Sequence, residues 1–406
     1  MTIDHREDLP PLTAWAVVDL DAVRENIQTV RRLIPPGTQI LLTVKADAYG
    51  LGAIAVSQEA AGCGVEMLGV ATLEEGIELR RAGIALPILV LAPVLADGAV
   101  HAQRFGLRTT VNDLAFAAAV SAAARAAGEC AVVHVEIDTG MGRTGVPAAT
   151  AAAFIESLYA TPAIKIEGIY THFPSSNECE FEFMQHQASL FADVIETLAR
   201  RGISIPIHHA ANSAAILNAP RFHMRMVRPG LAVYGFPPYE PLPAGTRLRP
   251  AMSLRTRVVQ VRDFEPGTTI SYGRAYVVTK PARIAAIAIG YGHGISRALS
   301  DRGEVLVRGI RAPIVGRVTM DTTMIDVTAI PDVCAGDEAV LFGVQDGAEV
   351  FIDELAAIQG TISYEVTCAI GRRVARVYRR GGRDVSRRTM LGGNAQVDGR
   401  GFTKTA

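Results

Sequence analysis

A chain of 406 residues is too long for one small core and points to two or three domains. Hydrophobic residues make up 49% and the formal net charge is -1, so a large buried core is available and no basic surface for nucleic acid is implied. The five cysteines are odd in number and scattered without metal-ligand spacing, which reads as reduced thiols in a cytoplasmic protein, and the nine histidines offer no metal site either.

Met1 to Leu12 is charged and contains proline without an apolar run, and no later segment approaches a membrane span, so neither a leader nor a membrane partner is expected. Residues 20 to 33 show apolar positions at helical spacing, with Asp21 at the expected N-cap and Pro35-Pro36-Gly37 as the stop. Short apolar strands then alternate with Ala-rich helical stretches. Strands are predicted over 41–44, 67–71, 88–91, 108–111, 132–137, 166–171, 205–208 and 224–227, with helices between them, for instance over 73–82, 113–127 and 180–201. Eight such alternations predict an α/β fold of the (β/α)8 TIM type over residues 14–240.

Prolines 237, 238, 241, 243 and 250 mark a linker. Beyond it, β-type segments over 252–261, 282–289, 304–307, 312–315, 324–327 and 339–342 predict a mostly β C-terminal domain, formed by residues 1–13 and 241–378. From Arg379 to Ala406 the chain is rich in Arg, Gly and Ser and is expected to be a solvated, disordered tail.

Lys45 is the residue around which the barrel is organised. It ends the apolar run Ile40-Leu41-Leu42-Thr43-Val44 and is one of only four lysines against 36 arginines. An ammonium at the end of a buried strand is costly unless used; a desolvated lysine is a nucleophilic amine that can form a Schiff base with a carbonyl cofactor. A barrel places its active site at the C-terminal ends of the strands, and the polar residues that fall there are consistent: Lys45, then Glu136, Asp138 and Arg143, then His172, then His209, Asn212 and Ser213, then Arg228 and Gly230. Asn212-Ser213 opening a helix, and Gly230 after Arg228-Pro229, offer groups suited to a phosphate.

The motifs resemble those of the alanine racemase family: Val44-Lys45-Ala46-Asp47-Ala48-Tyr49-Gly50, Asp138 to Arg143, Glu167 to Phe173, His209 to Ala215, Arg228-Pro229-Gly230, Ser271-Tyr272-Gly273, Gly290 to Gly294, Gly316 to Asp321 and Ser363 to Val366. In this order they cover about residues 15 to 378. The resemblance implies an amino-acid racemase dependent on pyridoxal 5'-phosphate (PLP), acting on alanine to supply D-alanine for peptidoglycan. It implies two acid/base groups, Lys45 on one face of the substrate and Tyr272 on the other, with His172, Arg228 and His209 assisting the tyrosine. Arg228 would meet the pyridine nitrogen, and Tyr49, Asn212, Ser213, Gly230, Leu231 and Tyr364 would complete the cofactor site. Arg143 and the backbone at Met320 would take the substrate carboxylate, with Tyr291 narrowing the entrance. Family members form homodimers in which Tyr272 would serve the Lys45 site of the other subunit.

Several positions depart from the family pattern. Asp47 replaces the usual Asn and Leu51 the usual His; Asn177, His293 and Thr322 also differ. Glu136 stands where many members carry a carbamylated lysine, and it is expected to orient Arg143 directly without modification. Alternatives are a broad-specificity racemase of serine or basic amino acids and a non-catalytic PLP-binding protein.

Overall fold

The computed structural model describes residues 11–177, 181–391, 395–398 and 401–404, the last two segments by their backbone alone. The chain divides into two compact units, one formed by residues 22–48 and 53–249, the other by residues up to 21, 49–52 and those from 250 onward.

The first unit is the barrel. Its strands are β1 (Gln39–Thr43), β2 (Met67–Val70), β3 (Ile88–Val90), β4 (Arg108–Thr110), β5 (Ala131–Asp138), β6 (Ile164–Tyr170), β7 (Ile207–Asn212) and β8 (Met226–Arg228). All pairings are parallel; β1 lies beside β2 and β8, and β4 pairs with β5 to close the circle. Ile40, Leu41 and Leu42 of β1 are fully buried, each contributing about 2 kcal/mol to the core. Helix ends follow local chemistry: Asp113 caps Leu114–Ala127 by accepting from the Phe116 N–H at 2.7 Å, and Gly128, at φ 69°, stops it.

Two details of the barrel bear on the site. The strand expected over 205–208 instead runs from Ile207 to Asn212, because His209 and Asn212 pair with β6 and β8 although their polarity hides them from an apolar pattern. Between β5 and β6 the register shifts: Val133 opposes Ile166 but His134 opposes Gly168, so Glu167 is the extra residue of a β-bulge.

In the second unit, strand Ala14–Asp19 lies in a sheet between Met252–Phe264, antiparallel, and Ala375–Arg380, parallel. The barrel expected to start at residue 14 therefore starts at residue 22, and it extends to 249 rather than 240. A strand buried on both faces reads the same in either sheet, so composition could not assign it. Asp21 is not an N-cap: the helix begins at Leu20, and the Asp21 carboxylate accepts from the Gly381 N–H at 2.5 Å. Strands Arg383–Arg388, Ala395–Asp398 and Gly401–Lys404 extend the sheet as successive antiparallel neighbours, so the expected disordered tail is largely strand. Residues 1–10, expected in this unit, lie outside the described residues.

Candidate active site

After β1 the chain turns left-handed. Ala46, Asp47, Ala48 and Tyr49 have φ between 52° and 56°, a conformation costing roughly 1–2 kcal/mol for each residue bearing a Cβ. The turn is held from several sides. The Glu75 carboxylate accepts from the Ala46 and Ala71 N–H groups, each at 2.7 Å; the Ala48 N–H bonds the Val44 carbonyl at 2.8 Å; and the Asp47 carboxylate accepts from the Ala53 N–H at 2.8 Å. Strain held this firmly immediately after Lys45 makes that residue a candidate functional position. Beneath it, the Tyr234 hydroxyl donates to the Thr43 carbonyl at 2.6 Å, fixing the end of the strand.

Arg228, at the end of β8, is 6% exposed and its donors go to neutral acceptors: the Thr171 carbonyl at 2.8 Å, the Ala210 carbonyl at 3.0 Å, His209 Nδ1 at 3.1 Å and His172 Nδ1 at 3.2 Å. Burial draws the guanidinium down to about 10, with Tyr170 and Glu136 opposing the fall and Arg143 adding to it, so it remains a cation at neutral pH. Burial, reinforced by the charges of Arg228, Arg143 and Lys45, pushes His172 down to about 3. His209 is held well below its ordinary value, first by burial and then by Arg228. Both imidazoles are therefore neutral, with the Nδ1 facing Arg228 as an acceptor. Tyr170 stacks on His209 with ring centroids 4.8 Å apart.

The candidate phosphate end also lies in the barrel. Ser213 Oγ accepts from the Gly230 N–H at 3.0 Å and the Ala232 N–H at 3.2 Å, and it donates to no acceptor among the described residues. Leu231 opens a 3-10 turn, where its N–H lacks an acceptor within the turn. Asn212 and Gly230 have partners within the protein. Asn212 Oδ1 caps Ser213–Asn218 through the Ala215 N–H at 3.1 Å and takes the Ser176 hydroxyl at 2.9 Å, and the Gly230 N–H is spent on Ser213. Asn212 thus fixes the start of the helix that carries Ser213, and Gly230 bonds the serine oxygen directly.

Glu136 is 3% exposed, and its carboxylate accepts from the Thr144 hydroxyl at 2.6 Å. Glu136 and Arg143 form no ion pair among the described residues, so the direct orientation expected of them is not what this structure holds. The reason is the turn that follows: Gly145, at φ 105°, packs so closely that a Cβ there would lie 3.1 Å from Glu136 Cγ, which brings Thr144 rather than Arg143 to the carboxylate.

The remaining candidates sit in the second unit. Tyr272 is 73% exposed on a short turn flanked by Ser271 at φ 67°, Gly273 at φ 70° and Arg274 at φ 51°. Ser271 Oγ donates to the Arg317 carbonyl at 2.7 Å. Tyr291 and Met320 are exposed, and their segments are joined by the Tyr291 N–H to the Thr319 carbonyl and the Gly292 N–H to the Met320 carbonyl, each at 2.9 Å. Tyr49 and Tyr364 meet edge to face with centroids 6.1 Å apart, and burial raises both phenols above their ordinary value.

A family model described as alanine racemase, N-terminal domain, matches residues 18–238, and the corresponding C-terminal domain model matches residues 251–378. The chain belongs to the alanine racemase family. The alanine racemase of Desulfovibrio desulfuricans is 42% identical over 364 residues, covering 90% of this chain and 97% of that protein. Among solved structures, alanine racemase from Bacillus anthracis with bound L-Ala-P superposes with a TM-score of 0.89 at 35% identity, covering 95% of this chain and 99% of that one. Alanine racemase from Bartonella henselae with covalently bound pyridoxal phosphate gives 0.81 at 25% identity, covering 91% and 100%.

The alanine racemase family consists of PLP-dependent isomerases, and the (β/α)8 barrel followed by a mostly β domain is its architecture. The donor chemistry of this barrel fits that cofactor: a lysine at a strand end for the aldehyde, a serine whose proton has no described acceptor for the phosphate, and a buried guanidinium for the ring. No described helix is long and apolar enough to cross a membrane.

Sequence reasoning missed His134, Glu167, Arg108 and Asn112. His134 Nδ1 meets His209 Nε2 at 2.9 Å, His134 Nε2 meets Glu167 Oε2 at 3.2 Å, and Arg108 grips Glu167 at 2.5 and 3.0 Å. Asn112 Oδ1 takes the Glu136 N–H at 3.2 Å. The available signal was His134 two residues before Glu136, which puts both on one face of β5.

Proposed function

We propose that this chain is a PLP-dependent isomerase that racemises alanine, supplying D-alanine for peptidoglycan, and that it works as a cytoplasmic homodimer. The observation that carries the reading is Arg228: a buried guanidinium bonded to carbonyls and neutral imidazoles keeps its charge and its protons, which suits a partner that must not be protonated.

When bound, PLP supplies the electron sink that stabilises negative charge at the substrate α-carbon. Lys45, Tyr49, His172, His209, Asn212, Ser213, Arg228, Gly230, Leu231 and Tyr364 form its site in this reading, with Asn212 and Gly230 acting through Ser213. Lys45 Nζ moves the α-proton on one face. On the other, the partner subunit's Tyr272 moves it through Oη. A phenol of ordinary pKa, about 10, is a poor base without help. His172, neutral and accepting at Nδ1 from Arg228, keeps its Nε2–H to donate to that oxygen and favour the phenolate. Arg143 and the Met320 backbone hold the substrate carboxylate, Tyr291 narrows the entrance, and Glu136 supplies a fixed negative charge without modification. The substrate's α-proton thus meets two bases whose surroundings differ in kind.

The test is incubation of the purified protein with PLP and, separately, L-alanine, L-serine, L-lysine and L-arginine in deuterated water, with both enantiomers and α-deuterium quantified. D-alanine formed fastest and carrying deuterium is the expected result. Faster turnover of another amino acid replaces alanine with a broader substrate range, and absence of exchange with every substrate overturns the reading.

A further inference from the structure

Three of the groups that sequence reasoning missed, Arg108, Glu167 and His134, join the candidates His209 and Arg228 in one line across the barrel interior. It runs from Arg108 at the start of β4, through Glu167 on the bulge of β6, His134 on β5 and His209 on β7, to Arg228 at the end of β8. His134 and His209 are fully buried, and each has a described partner at both ring nitrogens.

The charged ends dictate every proton in the line. A guanidinium only donates, so Arg228 Nη1 donates to His209 Nδ1, and that nitrogen carries no proton. In neutral His209 the proton then sits on Nε2, which donates to His134 Nδ1. His134 is left with its proton on Nε2, which donates to Glu167 Oε2. Glu167 only accepts, because Arg108 holds it as a carboxylate through two bonds. The opposite tautomer at either ring would set two protons, or two lone pairs, against each other.

We infer that Glu167, anchored by Arg108, is a positioning residue for Arg228, acting through His134 and His209 as a hydrogen-bond chain of fixed direction. Two further observations make this a built arrangement. The β-bulge inserts Glu167 as an unpaired extra residue, which turns its carboxylate toward His134. The next residue is Gly168, where a Cβ would stand 2.5 Å from both Cε1 and Nδ1 of His134, so the ring occupies space that only glycine leaves. The chain also supplies what Arg228 lacks at hydrogen-bond range among the described residues, a carboxylate, reached through two neutral rings. Burial lowers both imidazoles, and the Arg108 and His134 bonds hold Glu167 at about 2, in keeping with this charge pattern.

The inference rests on the reading of Arg228 as the cofactor's ring partner, and its test separates the two. Long-range 1H–15N spectra of the histidines in the full-length protein, with and without PLP, report the tautomers directly. His134 and His209 are expected as neutral rings protonated at Nε2; an Nδ1–H tautomer or an imidazolium at either overturns the chain. In the wild type and in Glu167→Gln, kcat and KM for alanine are then compared. Loss of the charge is expected to lower kcat about tenfold while KM stays within about twofold, with Glu167→Asp recovering part of the loss. An unchanged kcat in Glu167→Gln overturns the proposal. Should that variant fail to fold, Gly168→Ala displaces the His134 ring and is expected to give the same split between kcat and KM together with altered ring 15N shifts; normal kinetics with altered shifts overturns it equally. A wild type that racemises nothing removes the functional reading but leaves the tautomer result standing.

Discussion

The turn after Lys45 and the turn around Tyr272 are both built on left-handed backbone, yet they are finished in opposite ways. At Lys45 the strain is enclosed: Glu75, Val44 and Ala53 tie the turn. At Tyr272 the strain is displayed: Ser271 makes one side-chain bond, and the phenol stands 73% exposed. Ser271, at φ 67° and ψ 178°, even occupies a region that is essentially reserved for glycine. In the proposed reading, Lys45 is preorganised by its own chain, whereas Tyr272 is presented outward for a second chain to use.

Breaking either side of this comparison gives the largest effects. Lys45→Ala is expected to reduce turnover at least about 10³-fold and to abolish the visible absorbance of bound cofactor, whereas Tyr272→Phe should cost about 10²- to 10⁴-fold while leaving that absorbance in place. Equal cofactor loss in both variants would erase the distinction. Mixing these two inactive variants sharpens it: if Tyr272 serves the partner's lysine, each mixed dimer carries one intact site, and activity should recover to about a quarter of wild type. No recovery would mean that each site is completed within one chain.

The enclosed half should also respond to acid. His134, His172 and His209 all have folded-state values below the ordinary 6.5, His172 at about 3. Below about pH 6.5 the unfolded chain takes up protons at these rings that the folded barrel refuses, so stability falls with pH across the window from about 6.5 toward about 3. Calorimetric unfolding midpoints should drop between about pH 7 and about pH 5, and a flat profile would contradict the burial argument. The smallest effect is expected at the displayed half. Ser271→Gly should raise the unfolding midpoint, by no more than about 1 kcal/mol in stability, since it removes the strain but also one hydrogen bond. A lowered midpoint would show that the bond to Arg317 outweighs the backbone cost.

Particular residues show what could be read from the sequence. Lys45, His172, His209 and Arg228 were legible because each ends an apolar run, and a barrel gathers strand ends on one face. The left-handed turn was not: Ala46, Asp47 and Ala48 carry no glycine to announce positive φ. Glu167 was hidden because a bulge breaks the period-two pattern on which strand reading depends. Ala14–Asp19 was misassigned because its partners, Met252–Phe264 and Ala375–Arg380, are more than 230 residues away. Asn212 was visible, but its work as a cap became clear only when Ala215 and Ser176 were seen donating to the same oxygen.

The chain of hydrogen bonds from Glu167 to Arg228 has the character of a proton-ordered crystal of ice. In ordinary ice each bond can point either way and the lattice keeps residual entropy at low temperature. Here the two ends break that degeneracy, because one cannot accept and the other cannot donate. A single arrangement survives, so thermal energy finds no second orientation to populate, and the guanidinium at the far end stays in register by the same rule that orders the row.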